Sequence, residues 1–358
     1  MLDANLYENG SPTYSYCYYR LVCCYGRVAL GQRVCEGDAT NHATLCLRAR
    51  SANRPYTVRG PIGLPATVYL KRLGEDSIPG FSVSGFGPSS FAVGDLDGDG
   101  DVDILVGDSF FGSPGISVLK NNGDQTFAAP VYYSVPLNEV VGEVALSDFD
   151  SDGDLDAFAT IRGSFDQMTK IKVWRNNGDG TFAAPIEFTT GQGPAGIVIA
   201  DFTGDGKPDV ITANYGASSI SILRHNGLIG AGAGFLPPVS FNATNHAEKI
   251  AAADVNGDGI LDVVVGETVD IGPLATLAVM INTGNGNFAA PVIYDAAPGG
   301  RFGSTAVALA DLDNDGDVDL IGGGLYSSGS IDNGAVTIRR NNGSRYLWRG
   351  RNNLVYQP

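Results

Sequence analysis

Five nine-residue segments, each opening and closing on aspartate, return along this chain at an almost constant distance. They read DLDGDGDVD from 95, DFDSDGDLD from 148, DFTGDGKPD from 201, DVNGDGILD from 254 and DLDNDGDVD from 311, with steps of 53, 53, 53 and 57 residues. Self-similarity at a fixed period of this size is the mark of a repeat architecture. The flanks recur as well. A short apolar stretch precedes each segment (SFAVG, EVALS, GIVIA, KIAAA, AVALA) and another follows it (ILVG, AFAT, VITA, VVVG, LIGG). Apolar runs of four or five residues, punctuated by Gly, Asp or Asn, predict buried strands. Farther on, ISVLKNNG, IKVWRNNG, ISILRHNG, LAVMINTG and VTIRRNNG each predict a strand that ends in a tight turn. A fourth element follows in TFAAPVYY, TFAAPIEF, GFLPPVSF and NFAAPVIY, where a proline at a fixed place predicts an edge strand.

Each period therefore holds four short strands and no helical segment. Such units close radially into a β-propeller, an all-β fold that leaves only short, protected edges. Residues 66–85 resemble the third and fourth strands of a preceding unit. Six blades at this period need about 318 residues and seven about 371, against a chain of 358. Six blades fit best and seven remain open. Residues 1–65 read as an irregular Cys- and Tyr-rich segment able to complete a blade, 66–343 as the propeller and 344–358 as an irregular tail.

So dense a row of carboxylates is tolerable when a hard cation sits among them. Calcium takes six to eight oxygens at about 2.3–2.6 Å and accepts irregular cages. In the pattern D-x-[D/N/T]-x-D-G-x-x-D, positions 1, 3, 5 and 9 converge, position 7 offers its backbone carbonyl, and glycine at position 6 permits the sharp turn. The predicted ligands are Asp95, Asp97, Asp99 and Asp103 with Asp101 at position 7, and Asp148, Asp150, Asp152 and Asp156 with Asp154. The third loop offers Asp201, Thr203, Asp205 and Asp209 with Lys207, and the fourth Asp254, Asn256, Asp258 and Asp262 with Ile260. The fifth offers Asp311, Asp313, Asp315 and Asp319 with Asp317. A lysine at position 7 fits, because only its backbone is needed. An EF-hand would end on glutamate at position 12, where this chain has Val106, Ala159, Thr212, Val265 and Gly322. A solvated acidic turn without metal is the plainer alternative, but it would not preserve the pattern five times. These loops hold 21 of the 39 acidic residues, so about five Ca²⁺ would bring the net charge from −16 to about −6. Loops three and four, with fewer carboxylates, are expected to bind most weakly.

The loops, joined to segments such as NNGDGTFAAP, resemble the FG-GAP or VCBS repeats of integrin α-subunits and many bacterial surface proteins, over roughly residues 66–343. That resemblance implies an extracellular, calcium-stabilised propeller serving adhesion or glycan binding. It does not settle function, because the family also has catalytic members.

A net charge of −16 argues against a nucleic-acid partner, and no apolar run is long enough to span a bilayer. The start, MLDANLYENG, shows no secretion signal. All five cysteines (Cys17, Cys23, Cys24, Cys35, Cys46) precede the repeats; their spacing fits no zinc pattern and favours one or two disulfides over unpaired thiols. Recognition of a glycan or an extracellular protein is expected on the face away from the acidic loops, where connections between second and third strands vary. Phe110, Phe111, Phe165, Tyr215 and Tyr326 lie there and could stack on sugars or pack over neighbouring blades. Two other classes stay open: self-assembly into a surface layer or filament through the irregular ends, and a polysaccharide lyase using His246 with Lys249. A non-catalytic binding module is the expectation.

Overall fold

The computed structural model describes residues 88–341, apart from 110–112, 125, 164–167, 270–275, 296–302, 305 and 328–331, together with five short strands outside that span. Four of these strands come first: β1 (Ala43–Leu47), β2 (Tyr56–Val58), β3 (Ala66–Leu70) and β4 (Gly80–Ser82). β3 pairs antiparallel with β4 and parallel with β1, while β2 adds to the first strand of the next sheet.

The repeats then form consecutive antiparallel meanders. Unit one is β5 (Pro88–Gly94), β6 (Asp103–Asp108), β7 (Gly115–Leu119) and β8 (Val131–Ser134). Unit two is β9 (Glu139–Ser147), β10 (Asp156–Gly163), β11 (Lys170–Trp174) and β12 (Ile186–Thr189). Unit three is β13 (Pro194–Ala200), β14 (Asp209–Asn214), β15 (Ser219–Leu223) and β16 (Val239–Asn242). Unit four is β17 (Ala247–Ala253), β18 (Asp262–Val269), β19 (Thr276–Met280) and β20 (Val292–Asp295), with β21 (Gly303–Ser304) pairing to β18. Unit five is β22 (Ala306–Ala310), β23 (Asp319–Ser327), β24 (Asp332–Arg339) and β25 (Asn353–Leu354). The outer strand of unit five is thus supplied by Asn353-Leu354, opposite Ile338 and Thr337. In units one to four the fixed proline stands immediately before the outer strand, at Pro130, Pro185, Pro238 and Pro291. There it removes no ladder hydrogen bond.

The units are propeller-like in how they stack. First strands of successive units pack against one another, β5 on β9, β9 on β13, β13 on β17 and β17 on β22. Four apolar clusters fill the spaces between successive sheets. The second strands explain why the apolar runs do not alternate with polar residues. In β10, Ala157, Ala159 and Ile161 face unit one, whereas Phe158 between them faces unit three. In β18, Val263 and Val265 face unit three and Val264 faces unit five. Both faces are buried, so apolar residues run consecutively through Ala157–Ala159 and Val263–Val265. Polar side chains also bridge neighbouring units: the Ser90 hydroxyl accepts from Val144 N–H at 2.9 Å, and Thr160 donates to the Ala195 carbonyl at 3.2 Å.

Candidate metal centres and the joints between units

Every acidic loop connects the first strand of a unit to its second, and all five share one backbone path. Position 6 is glycine with φ between +79° and +100° (Gly100, Gly153, Gly206, Gly259, Gly316), a region that L side chains avoid. Position 4 is left-handed too, although Ser151 and Asn314 occupy it in loops two and five. The first aspartate clasps the turn it opens. Asp95 accepts from Gly98 and Gly100 N–H at 2.8 and 3.0 Å, and Asp254 accepts from Gly257 and Gly259 N–H, both at 2.7 Å. The position-7 N–H returns to the position-5 carboxylate at 2.8–3.0 Å in all five loops. Position 7 therefore tolerates any side chain, and the Lys207 ammonium turns away to donate to Ser151 Oγ at 3.1 Å.

Carboxylate oxygens gather in three loops: Asp95, Asp97 and Asp99; Asp148, Asp150 and Asp156; and Asp311, Asp313 and Asp315. In loops three and four, Thr203 and Asn256 stand at position 3. Two observations test whether these residues suit a hard dication. At position 3, Asp97 Oδ1 and Asp150 Oδ1 are buried without a hydrogen-bond partner. Burial also pushes the position-9 carboxyls upward, Asp103 and Asp262 to about 6 and Asp156 to about 7, with Asp209 and Asp319 also raised. For Asp150, burial and then Asp152 raise the carboxyl. Buried carboxylate oxygens that accept no hydrogen bond, with no nitrogen or sulfur donor among them, fit calcium's preference. Positions 1, 3 and 5, with position 9 behind them, are the residues that would hold it.

Position 9 has a second duty that sequence reading missed. These aspartates are at most 1% exposed, and each carboxylate ties two backbone segments. Asp156 Oδ2 accepts from Phe149 N–H and Oδ1 from Asn176 N–H, both at 2.8 Å. Asp103 does the same with Leu96 and Asn121, Asp262 with Val255 and Asn282, and Asp319 with Leu312 and Asn341. Asp209 accepts from Phe202, Thr203 and His225. In the other four, one N–H per oxygen leaves a lone pair on each for a cation.

The asparagine that opens each NNG-type turn is equally engaged. Asn176 Nδ2 donates to Leu96 O of the preceding unit's loop at 2.7 Å, and to Leu155 O of its own at 3.1 Å. Asn282 bonds Phe202 O and Leu261 O in the same way, and Asn341 bonds Val255 O and Val318 O. In unit three, His225 takes the place, with Nε2 3.1 Å from Phe149 O. Its ring packs with Phe149 and Phe235 in an aromatic cluster that includes Phe158 and Phe188. The signal was present in the sequence as an Asn or His at a fixed place in every repeat, which a turn alone does not require.

On the opposite face, Tyr215 is half-buried. Its ring stacks on His246 at 4.6 Å, and the Arg162 guanidinium lies 5.1 Å from its centroid. Lys249 pairs with Glu248 at 3.0 Å. Against the burial that raises it, Lys249, Thr268 and Arg162 hold Glu248 down to about 2. Tyr326 lies within β23, opposite Asn333, and not in a loop. Phe110, Phe111, Phe165, Cys17, Cys23, Cys24 and Cys35 lie outside the described residues, and Cys46 falls in β1. No helix among the described residues is long and apolar enough to cross a membrane.

A family model, the FG-GAP-like repeat, matches residues 95–159, 148–212, 201–265 and 271–322, more than half of the chain. The chain belongs to the FG-GAP repeat family. The first three matches each begin on the first aspartate of a loop. Among curated relatives, Cartilage acidic protein 1 of Xenopus tropicalis is 30% identical over 160 residues, 42% of this chain and 24% of that protein. Integrin alpha-PS5 of Drosophila melanogaster is 36% identical over 98 residues, 25% of this chain and 9% of that protein. This chain therefore spans under a quarter of each relative's length. Among solved structures, an Agrocybe aegerita lectin that recognises non-reducing terminal N-acetylglucosamine superposes with a TM-score of 0.50 at 20% identity. The match covers 79% of this chain and 73% of that one, and it is a likeness of fold.

Proposed function

We propose that this protein is an extracellular, non-catalytic binding or adhesion module for glycan or protein ligands, built as a six-bladed propeller whose acidic loops hold about five calcium ions. The observation that carries the reading is the buried, partnerless carboxylate oxygen at position 3 of the first two loops, set in a turn repeated five times. A divalent cation there offsets the burial of the position-9 carboxyls and binds the first two strands of each blade together. Membership of a family shared with an integrin, and the fold shared with a lectin, support binding as the role. Recognition is assigned to the varied face, around Tyr215 and the neighbouring connections.

Calorimetric titration of the chelated chain with Ca²⁺ tests the metal, and fewer than three equivalents bound would sink it. A glycan array probed in Ca²⁺ tests the role. Reproducible binding to one glycan class is expected, and a blank array together with turnover of a polysaccharide would replace the binder with an enzyme.

A further inference from the structure

Unit three also departs from units one, two and five in how one charge is paired. In units one, two and five, the basic residue after the third strand is neutralised by the carboxylate at loop position 3. Lys120 Nζ lies 3.7 Å from Asp97, Arg175 Nε lies 3.6 Å from Asp150, and Arg340 pairs with Asp313. Unit three keeps the base, Arg224, but has Thr203 at position 3. The Arg224 Nη2 donates only to neutral oxygens, Gly286 O at 3.2 Å and Asn287 Oδ1 at 3.1 Å. Its Nε is buried and makes no hydrogen bond. Loop three is also the least acidic of the five, because its three aspartates are joined by Lys207.

The same guanidinium lines a cavity of ≈ 330 Å³ between the third loop and the hairpin of unit four, with Thr203, Asp205, Leu236, Asn285 and Asn287. We propose that this cavity is a subsite for a sugar acid, whose carboxylate takes the place that Asp97 and Asp150 fill in the neighbouring units. A guanidinium fork suits a carboxylate. The Asn285 amide matches a ring hydroxyl, and Leu236, 50% exposed, offers an apolar wall. A volume at the low end of ligand pockets suits one sugar ring with its carboxylate. The site rests on the glycan-binding reading, but lies on the face of the acidic loops.

The test uses the calcium-loaded full chain, with glucuronate, glucose and glutarate followed by saturation-transfer NMR and calorimetry. Glucuronate is expected to bind, with glucose and glutarate each about tenfold weaker or more. Thr203→Asp supplies the missing carboxylate from within, as in units one and two. It should lower glucuronate affinity at least about tenfold while leaving the melting temperature in calcium unchanged or higher. That expectation separates it from Arg224→Gln, which also loosens the contact to Gly286. Undetectable glucuronate binding, or binding unchanged in Thr203→Asp, overturns the subsite, and glutarate binding equal to glucuronate overturns the sugar. Neutral glycans bound on an array without glucuronate would remove this subsite and leave the module reading intact.

Discussion

The second and third acidic loops follow one backbone path and differ in what they do with it. In loop two, position 3 is Asp150, facing Arg175 at 3.6 Å, and the next hairpin is reached when Arg175 Nη2 donates to Ala233 O at 3.1 Å. In loop three, position 3 is Thr203 and Arg224 keeps only the reach to the next hairpin. Both loops retain the buried position-9 aspartate and the joint to the preceding unit. The frame is therefore carried by positions 1, 6 and 9 and by the Asn or His of the hairpin. Position 3 is where charge is adjusted.

The largest effect expected on that comparison comes from removing calcium. With five ions bound well above their dissociation constants, chelation should lower the melting temperature by roughly 20 °C or more. Asp150→Thr should then weaken the tightest sites, whereas the same exchange is already present in loop three. Equal calcium affinity before and after would detach position 3 from the metal. Next come Asp156→Ala and Asp209→Ala, which orphan buried backbone N–H groups in the two loops and should each cost about 2–4 kcal/mol by urea unfolding. A cost confined to loop two would mean that position 9 serves the metal alone.

Asn176→Ala should cost about 1–3 kcal/mol, because the carbonyls of Leu96 and Leu155 lose their donor. His225→Asn keeps a donor but empties part of the aromatic cluster, and the two variants measured side by side would rank hydrogen bond against packing. The pH dependence of the chelated protein is a smaller effect with a definite sign. Asp103, Asp156 and Asp262 are raised to about 6–7 in the fold, above the usual 3.8. Between pH 4 and 7 the folded chain then holds protons that the unfolded chain has released, so stability falls as pH rises through that window. A melting temperature in EDTA that rises from pH 5 to 7.5 would contradict it. Smallest of all, Lys207→Ala should stay within about 0.5 kcal/mol of wild type.

Much of this was legible in the sequence because a repeat prints its own alignment. Four strands per period, the edge position of the outer strand and the turn glycine at position 6 follow from runs and punctuation within each copy. The joints were not legible, since Asn176 and Leu96 are 80 residues apart and belong to different copies. A turn asparagine and an inter-unit donor look alike in one dimension. The double duty of Asp156 was hidden for the same reason: a carboxylate in a metal pattern does not announce its backbone partners. Tyr326 was misplaced into a loop because its glycine-rich surroundings read as a connection, whereas β23 runs on to Ser327.

The joints also have a direction, and direction matters while the chain is being made. In loops one to four the position-2 carbonyl is claimed by a side chain 76 to 86 residues later. At about 5–20 residues per second, that partner leaves the ribosome roughly 4–16 s after the loop it completes. A nascent blade is left wet on one side until its successor arrives, and the newest blade is always the one at risk.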